Sequence, residues 1–232
     1  MNFLKTILLG TAVAFSVSNC TQAPKSDKAE TTDAKKVDEK TSADAQEVSV
    51  NTKTSVVTWV GTKPTDKHDG TFQLKDGKLS VKDGSVVGGS FTIDINSLEV
   101  KDLTPEKGKA KLEGHLKDTD FFETKKFPTA TFEITSVKKY SKSKKADDEK
   151  DKKYTLADPN SLVTGNLELK GVTKSITFPA KITVDKDGSV KAEAKFNIER
   201  TDWKLSYGAD KSLGDKFINP TVHIGFDINA KK

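Results

Sequence analysis

Apolar and polar residues alternate with a period of two in one run after another from residue 48 to the end of the chain. Such alternation is typical of β-strands that bury one face and expose the other. Turn-forming dipeptides separate the runs. Asp-Gly pairs between alternating runs are a strong signal for hairpins, and they occur at positions 69–70, 76–77, 83–84 and 187–188. The pattern therefore predicts an all-β domain built from antiparallel hairpins.

The number of hairpins corresponds to about eight strands, which favours closure into a barrel because closure removes the exposed edges of a sheet. An open sandwich is the alternative. A barrel of about eight strands has an interior just wide enough for side chains or for one small ligand. The residues expected to point inward either line a pocket or simply fill the core; they are Phe91, Ile93, Phe132, Ile134, Leu167, Phe178, Ile182, Phe196 and Phe226.

Two segments interrupt the strand pattern. Positions 104–106, Thr-Pro-Glu, offer a helix cap, a proline at the first helical position and an acidic first turn. They predict a short helix from Pro105 to about Lys117. Residues 141–153 are almost all Lys, Asp, Glu and Ser, and they predict a long solvated loop between two strands.

The first twenty residues have the features of a secretory signal peptide. Lys5 is the only charge before an apolar run over residues 6–17, which is too short to span a bilayer comfortably because a spanning helix needs about 20 apolar residues. The run leads to Cys20, the single cysteine of the chain, and residues 17–20 resemble a bacterial lipobox, with Asn19 in place of the usual small residue. We expect a lipoprotein signal peptide over residues 1–20 and lipidation of Cys20. A secretory signal with an incidental cysteine is the alternative.

The segment from residue 21 to residue 47 is rich in Lys, Asp, Glu, Ala, Thr and Ser. It cannot bury enough apolar surface to offset the entropy of ordering, so we expect a disordered tether. A flexible chain of this length averages on the order of 30 Å from end to end, which would let a folded domain over residues 48–230 stand clear of a membrane.

Short motifs follow one another along this domain in a fixed order: VTWVG at 57–61, HDGTF at 68–72, VGGSFTID at 87–94, LEGHLKDTDFF at 112–122, KFPTATF at 126–132, GNLELKGVTK at 165–174 and RTDW at 200–203. The ordered set resembles the YceI-like family, the lipocalin-like polyisoprenoid-binding domains of bacterial envelopes. The resemblance implies an extended eight-stranded antiparallel barrel with a long apolar pocket for an isoprenoid or a similar lipid. It implies no catalytic residues.

The candidate binding residues divide into an apolar set and a polar set. A ligand tail is expected to contact Phe91, Ile93, His115, Phe122, Phe132, Ile134, Phe178, Phe196, Trp203 and Phe226. Phe121 and Phe122 would point to opposite faces of a strand, so at most one of them lines the pocket. Candidates for contact with a polar ligand head are His68, His115, Arg200 and Asp202.

Each polar candidate also has a structural interpretation. His115 could form a hydrogen bond that fixes the corner between the helix and the next strand, and His68 lies beside a predicted turn. Arg200 and Asp202 could form an ion pair at the end of the barrel, since a buried arginine needs a partner. For His223, in the last strand, we expect a position on the surface.

These observations predict a lipid-anchored protein of the bacterial cell envelope, periplasmic or facing the outer membrane, that binds, transports or sequesters a quinone-like or polyprenyl lipid. The alternatives are a structural or stress-related lipoprotein with a solid barrel and no ligand, and an enzyme that acts on a lipid or quinone, for which the sequence offers no catalytic set; loss of turnover on changing His115 would support the latter. No enzymatic activity, covalent cofactor or metal is expected. The net charge of +5, with 39 basic and 34 acidic residues, does not favour a nucleic-acid partner. A homodimer is among the assemblies that the sequence leaves open.

Overall fold

Ten β-strands and one α-helix make up the regular structure in residues 22–37, 44–141 and 151–232, the part of the chain that the computed structural model describes. The helix α1 spans Lys109–Lys117. The predicted signal peptide, Cys20 and the centre of the charged loop lie outside the described residues. The strands are β1 (Glu30–Asp33), β2 (Gln46–Val50), β3 (Val56–Thr62), β4 (Lys67–Lys82), β5 (Ser85–Val100), β6 (Thr129–Lys139), β7 (Ser161–Leu169), β8 (Val172–Val184), β9 (Val190–Glu199) and β10 (Thr221–Lys231).

Strands β3 to β10 close into an antiparallel barrel. Each strand pairs with its successor, and β10 returns to pair with β3, with His223 opposite Val60 and Asp227 opposite Val56. Strand β2 lies between β4 and β10 and lengthens the wall beyond β3. The prediction of an eight-stranded antiparallel barrel is confirmed, and the open sandwich is excluded.

The two ends of the barrel are covered differently. Short hairpins join β4 to β5 and β8 to β9 at one end, whereas the opposite end carries α1, residues 118–128 and residues 200–220. The predicted helix is present but divided, because Gly108 adopts a left-handed conformation (φ 88°) between a 3-10 turn at Pro105–Lys107 and α1. Within the described ranges, no helix is both long and apolar enough to cross a membrane.

Five phenylalanine rings pack across the middle of the barrel. Phe226 contacts each of the other four, with ring centroids 5.4 to 5.8 Å apart. Phe178 and Phe196 stack at 4.1 Å, and Phe91 lies 5.4 Å from Phe132. These contacts join five strands, β5, β6, β8, β9 and β10, through a single apolar layer. We call this layer the phenylalanine cluster.

Glycines on neighbouring strands leave room for two of these rings. A Cβ atom at Gly165 would lie 2.4 Å from the ring of Phe132, and one at Gly77 would lie 2.7 Å from the Cβ of Phe91. Both distances are far below normal van der Waals contact. Any side chain at either position would therefore displace the cluster.

The N-terminal segment is not a free tether, because it pairs with the edges of β8 and β9 and forms part of the barrel wall. Strand β1 pairs antiparallel with β8, and Lys28 forms a parallel bridge with Asn197 of β9. Ala29 is buried and joins the hydrophobic core. The prediction of a disordered tether over residues 21–47 is therefore wrong for residues 24–35. Backbone hydrogen bonds to two strand edges compensate for the scarcity of apolar side chains, which composition alone does not reveal.

His223 is buried on the outer face of the barrel, so its predicted surface position is wrong. Its Nδ1 lies 2.9 Å from the side-chain oxygen of Asn197, and the ring of Tyr154 covers it at 5.1 Å. Burial and the charge of Lys195 lower the pKa of His223 to about 4, although Asp151 acts in the opposite direction. The imidazole is therefore neutral at physiological pH.

We expect the free energy of unfolding to decrease as the pH falls from 6.5 to 4. In this window the unfolded chain protonates His223 near its ordinary pKa of 6.5, whereas the folded protein does not protonate it until about pH 4. This group stabilises the fold fully above pH 6.5, and the complete loss amounts to roughly 3 kcal/mol. Urea unfolding at a series of pH values measures the effect. His223→Gln removes the titration but keeps a hydrogen-bond donor; a stability difference between the two proteins that does not change with pH would contradict the prediction.

Candidate functional site

A cavity of about 420 Å³ lies on one side of the phenylalanine cluster, in the half of the barrel that α1 covers. A void of only about 40 Å³ lies in the other half, where apolar side chains are packed. Phe226 borders both spaces. The barrel is thus solid in one half and hollow in the other, with the cluster as the floor of the cavity.

The wall of the cavity is almost entirely apolar, and it is built from seven strands, the helix and the two segments at the open end. The strands bring their inward positions to it because of the period-two alternation. The apolar lining residues are Val57, Trp59, Phe72, Ile93, Ile95, Leu112, Leu116, Phe121, Phe122, Ala130, Leu167, Leu169, Phe196, Ile198, Leu205, Ile218, Val222, Ile224 and Phe226.

The residues predicted to contact a ligand tail lie at three different levels of the barrel. Ile93, Phe122, Phe196 and Phe226 line the cavity, as do His115 and Leu167. Phe91, Phe132, Ile134 and Phe178, together with Ile182, border the small void in the packed half. Trp203 lines neither space: it is completely buried, and its Nε1 donates to the carbonyl of Leu167 at 3.0 Å.

Phe121 and Phe122 both line the cavity, so the prediction that at most one of them does is wrong. The prediction assumed an extended strand, but these residues lie in a turn that follows α1. In this turn the amide of Phe122 bonds to the carbonyl of Leu116 at 3.0 Å. Phe122 then meets Phe72 edge-on at 5.5 Å, which closes the wall between α1 and β4.

His68 brings a polar group to the rim of the cavity, and Asp102 fixes its position. The Asp102 carboxylate accepts hydrogen bonds from Nδ1 of His68 at 2.8 Å and from the backbone amide of Asp69 at 3.0 Å. Burial raises the pKa of Asp102, but these hydrogen bonds outweigh burial and hold the pKa below its ordinary value. The Asp102 carboxylate is therefore ionised and keeps the proton of His68 on Nδ1.

His115 lies at the corner after α1 and lines the cavity, while its contact with a ligand stays a prediction. Its Nε2 lies 3.2 Å from the Asp120 carboxylate, which ties the end of α1 to the following turn. Its ring also packs edge-on against Phe121 at 5.2 Å and Tyr207 at 5.1 Å, and it belongs to the cavity lining. His115 thus holds the corner together while presenting an edge to the cavity.

Arg200 does not pair with Asp202, so that expectation is wrong. Its guanidinium donates to three backbone carbonyls, those of Leu205, Ile218 and Asn219. These carbonyls belong to the segment that covers the open end, so Arg200 fastens this segment to the end of β9. Asp202 is half-buried and does not line the cavity. Arg200 itself lines the cavity, but at least three of its donors are already used.

Sequence reasoning missed several residues of this site. Leu112 and Leu116 lie four residues apart on one face of α1 and point to the cavity, and that helical spacing could have revealed them. Tyr207, Lys63 and Lys216 come from connecting segments, where periodicity gives no signal.

The charges at the rim balance one another. Lys63 and Lys216 line the opening together with Asp66 and Asp215. Across residues 22–37, 44–141 and 151–232, no three side chains of the His, Cys, Asp and Glu types are grouped as a metal site would require.

An alanine-to-phenylalanine substitution should change the free energy of unfolding less in the hollow half than in the packed half. Ala130 lines the cavity, whereas Ala194 borders the small void. Ala130→Phe places a ring in free space, so the free energy of unfolding of lipid-free protein should change by less than about 1 kcal/mol. Ala194→Phe overpacks a filled region and should destabilise by about 1–3 kcal/mol. Urea unfolding measures both changes, and equal losses would contradict the assignment of a hollow half.

Comparison with known proteins identifies the family of this chain. The family model for the YceI-like domain matches residues 28–230. Protein YceI of Escherichia coli O157:H7 is 31% identical over 157 residues, which cover 65% of this chain and 71% of that protein.

Two solved structures share the fold. BcnA of Burkholderia cenocepacia superposes with a TM-score of 0.56 at 18% identity, covering 78% of this chain and 99% of BcnA. A polyisoprenoid binding domain from Saccharophagus degradans, implicated in plant cell wall breakdown, superposes with a TM-score of 0.53 at 19% identity, covering 79% and 97%. The fold, the match over residues 28–230 and the relative in E. coli agree, and the chain belongs to the YceI-like family.

Proposed function

We propose that this protein binds the apolar tail of one isoprenoid-like lipid in the half-barrel cavity and holds a small neutral head at the rim. The observation that carries the proposal is a cavity of about 420 Å³ with an almost wholly apolar wall. Its volume falls in the range of about 300–1,000 Å³ that is typical of small-molecule sites. The name of the Saccharophagus degradans domain, a structural neighbour, is consistent with such a ligand.

The shape of the site favours a tail that enters from one end. The phenylalanine cluster closes the floor, so a chain cannot pass through the barrel. The rings and branched side chains of the wall offer dispersion contacts without hydrogen bonds, which favours hydrocarbon over any polar ligand. A tail longer than the cavity would extend out past the rim.

The rim favours a neutral head. Asp66 and Asp215 line it together with Lys63 and Lys216, so the formal charges of these four side chains cancel, and the guanidinium of Arg200 is bonded to backbone carbonyls. The two carboxylates would repel a phosphate, whose binding is favoured by an excess of cationic donors. The hydroxyl of a polyprenol needs only one hydrogen-bond partner, and Nε2 of His68 can accept from it because the proton of this ring is held on Nδ1 by Asp102. We therefore propose that the protein carries or sequesters a neutral isoprenoid and is not an enzyme.

Binding of a C20 isoprenoid tests the proposal. Geranylgeraniol should bind at least as tightly as geranylgeranyl phosphate, measured by native mass spectrometry and by calorimetry. Ala130→Phe should weaken binding of the alcohol by about tenfold or more, or about 1.4 kcal/mol, because the ring occupies the cavity. Thr131→Phe introduces the same ring at the next position, on the outer face of β6, and should leave the affinity unchanged. No binding of either lipid would overturn the proposal, as would equal effects of the two variants.

We further propose that the protein is a lipoprotein of the cell envelope. The support is the apolar run that ends at Cys20, the single cysteine, in a sequence resembling a lipobox. A ligand site on a lipid anchor would remain next to the membrane that holds its ligand.

Metabolic labelling tests the anchor. Cells grown with a radiolabelled fatty acid should incorporate label into the full chain, and Cys20→Ser should abolish incorporation because the acceptor thiol is gone. The variant should also leave the membrane fraction. Label that persists in Cys20→Ser, or a wild-type protein without label, would contradict the anchor and would leave the lipid-binding proposal intact.

A further inference from the structure

The wall of the barrel has a seam between β8 and β9. The two strands pair only from Ala180 opposite Ala194 to Val184 opposite Val190. Towards the open end they separate: β9 continues to pair with β10 through Glu199, and β8 continues to pair with β7. In the half of the barrel that contains the cavity, the ladder between β8 and β9 is therefore missing.

Residues 24–33, which we call the N-terminal stave, fill this seam. On one side, β1 pairs with β8 from Glu30 opposite Thr177 to Asp33 opposite Lys174. On the other side, Asn197 of β9 is the attachment point. The amide of Asn197 donates to the carbonyl of Asp27 at 2.7 Å, and its carbonyl accepts from the amide of Ala29 at 2.9 Å.

The side chain of Asn197 adds a third contact. Its amide nitrogen donates to the carbonyl of Pro24 at 2.8 Å, which leaves its oxygen to accept from His223 at 2.9 Å. The neutral His223 beneath the stave thereby orients the residue that holds the stave.

On the β9 side the seam lies beside the cavity, whereas no residue of β8 lines it. Phe196 and Ile198, the neighbours of Asn197 on β9, point inward and line the cavity wall. On this stretch of β9 the stave is the only partner on the side away from β10 among the described residues. Removal of the stave would free one edge of the cavity wall.

The stave is held in the wall mainly by backbone pairing and polar contacts, which include the ion pairs Lys28–Glu199 at 3.1 Å and Asp33–Lys174 at 3.0 Å. Ala29 is the one side chain of residues 22–37 that is fully buried, and most side chains of β1 are exposed. The stave contributes four paired residues and one bridge, whereas the ladder between β9 and β10 has ten pairs. A segment with so few buried apolar contacts opens locally at a much lower free energy than the rest of the sheet.

We propose that the N-terminal stave is a releasable part of the barrel wall and that its release opens a side entrance to the cavity between β8 and β9. An apolar tail could then enter sideways, without displacing α1 and the segment fastened by Arg200. This inference rests on the proposed ligand role of the cavity.

A disulfide that fixes the stave tests the entrance. Asp33 and Lys174 are directly opposed in the ladder, so Asp33→Cys with Lys174→Cys places two thiols on adjacent strands within reach of a cross-strand bridge. The matched control is Thr183→Cys with Lys191→Cys, an opposed pair in the closed part of the β8–β9 ladder. Both pairs are made in the full chain with Cys20→Ser, so each protein has only the two new thiols.

The readout is the rate at which the neutral fluorophore N-phenyl-1-naphthylamine enters and leaves the protein in stopped flow. Oxidation of the 33–174 pair should slow both rates by about tenfold or more, since the stave can no longer open. Oxidation of the 183–191 pair should change neither rate. A bound probe whose rates are insensitive to the 33–174 bridge would overturn the side entrance.

Hydrogen exchange separates the failure of this inference from the failure of the proposed function. The amide of Asn197, which bonds to the stave, should exchange about tenfold faster or more than the amides between β9 and β10. If it exchanges as slowly as they do, the stave does not release and the proposal is wrong whether or not the probe binds. If the amide exchanges fast but the probe does not bind, the stave is releasable and the ligand role of the cavity is contradicted.

Discussion

The packing of Phe226 against four other rings determines how the interior of this barrel is divided. An eight-stranded barrel encloses a single column of space, and without a layer across it the column is either filled throughout or open throughout. The phenylalanine cluster crosses the column once. Below it, apolar side chains meet from all sides, and above it the same strands enclose about 420 Å³. The cluster thus provides both the cohesion between five strands and the floor of the binding site.

The open half depends on a second kind of interaction, hydrogen bonds from buried side chains to backbone carbonyls. Arg200 fastens residues 205–219 across the end of the barrel, and Trp203 reaches the carbonyl of Leu167. Each bond satisfies a group that would otherwise be buried without a partner, at a cost of about 1–3 kcal/mol. The covering segments are therefore held by polar contacts around the edge, and the apolar space beneath them stays unfilled. An ion pair such as Arg200 with Asp202 would have held only two neighbouring residues.

Sequence reasoning predicted the architecture because alternation and turn dipeptides are local signals. It identified which side chains point inward, but it could not assign the position of each side chain along the barrel axis. Phe91 and Ile93 share one face of β5, yet the first borders the packed half and the second lines the cavity. That level depends on the register between strands far apart in the chain, which a single sequence does not encode as a pattern. The predictions for Phe121 and Phe122 were wrong because these residues lie in a turn and not in an extended strand. The prediction for His223 was wrong because an overlying loop covers it. The N-terminal stave was missed because its backbone, and not its side chains, makes the contacts.

Whether the stave is docked determines how far the barrel can stand from a membrane that holds a lipidated Cys20. Pro24 lies four residues after Cys20, and an extended chain spans at most about 14 Å over that interval. With the stave docked and Cys20 lipidated, as we propose, the seam between β8 and β9 is held near the membrane surface. With the stave released, the end-to-end distance from Cys20 to β2 is limited only by chain length, and a random coil of that length averages roughly 28 Å. Opening of the wall and lengthening of the tether are then the same event. The side of the barrel that opens is the same side that the docked stave keeps near the membrane surface. A lipid tail could therefore pass between the bilayer and the cavity with little exposure to water.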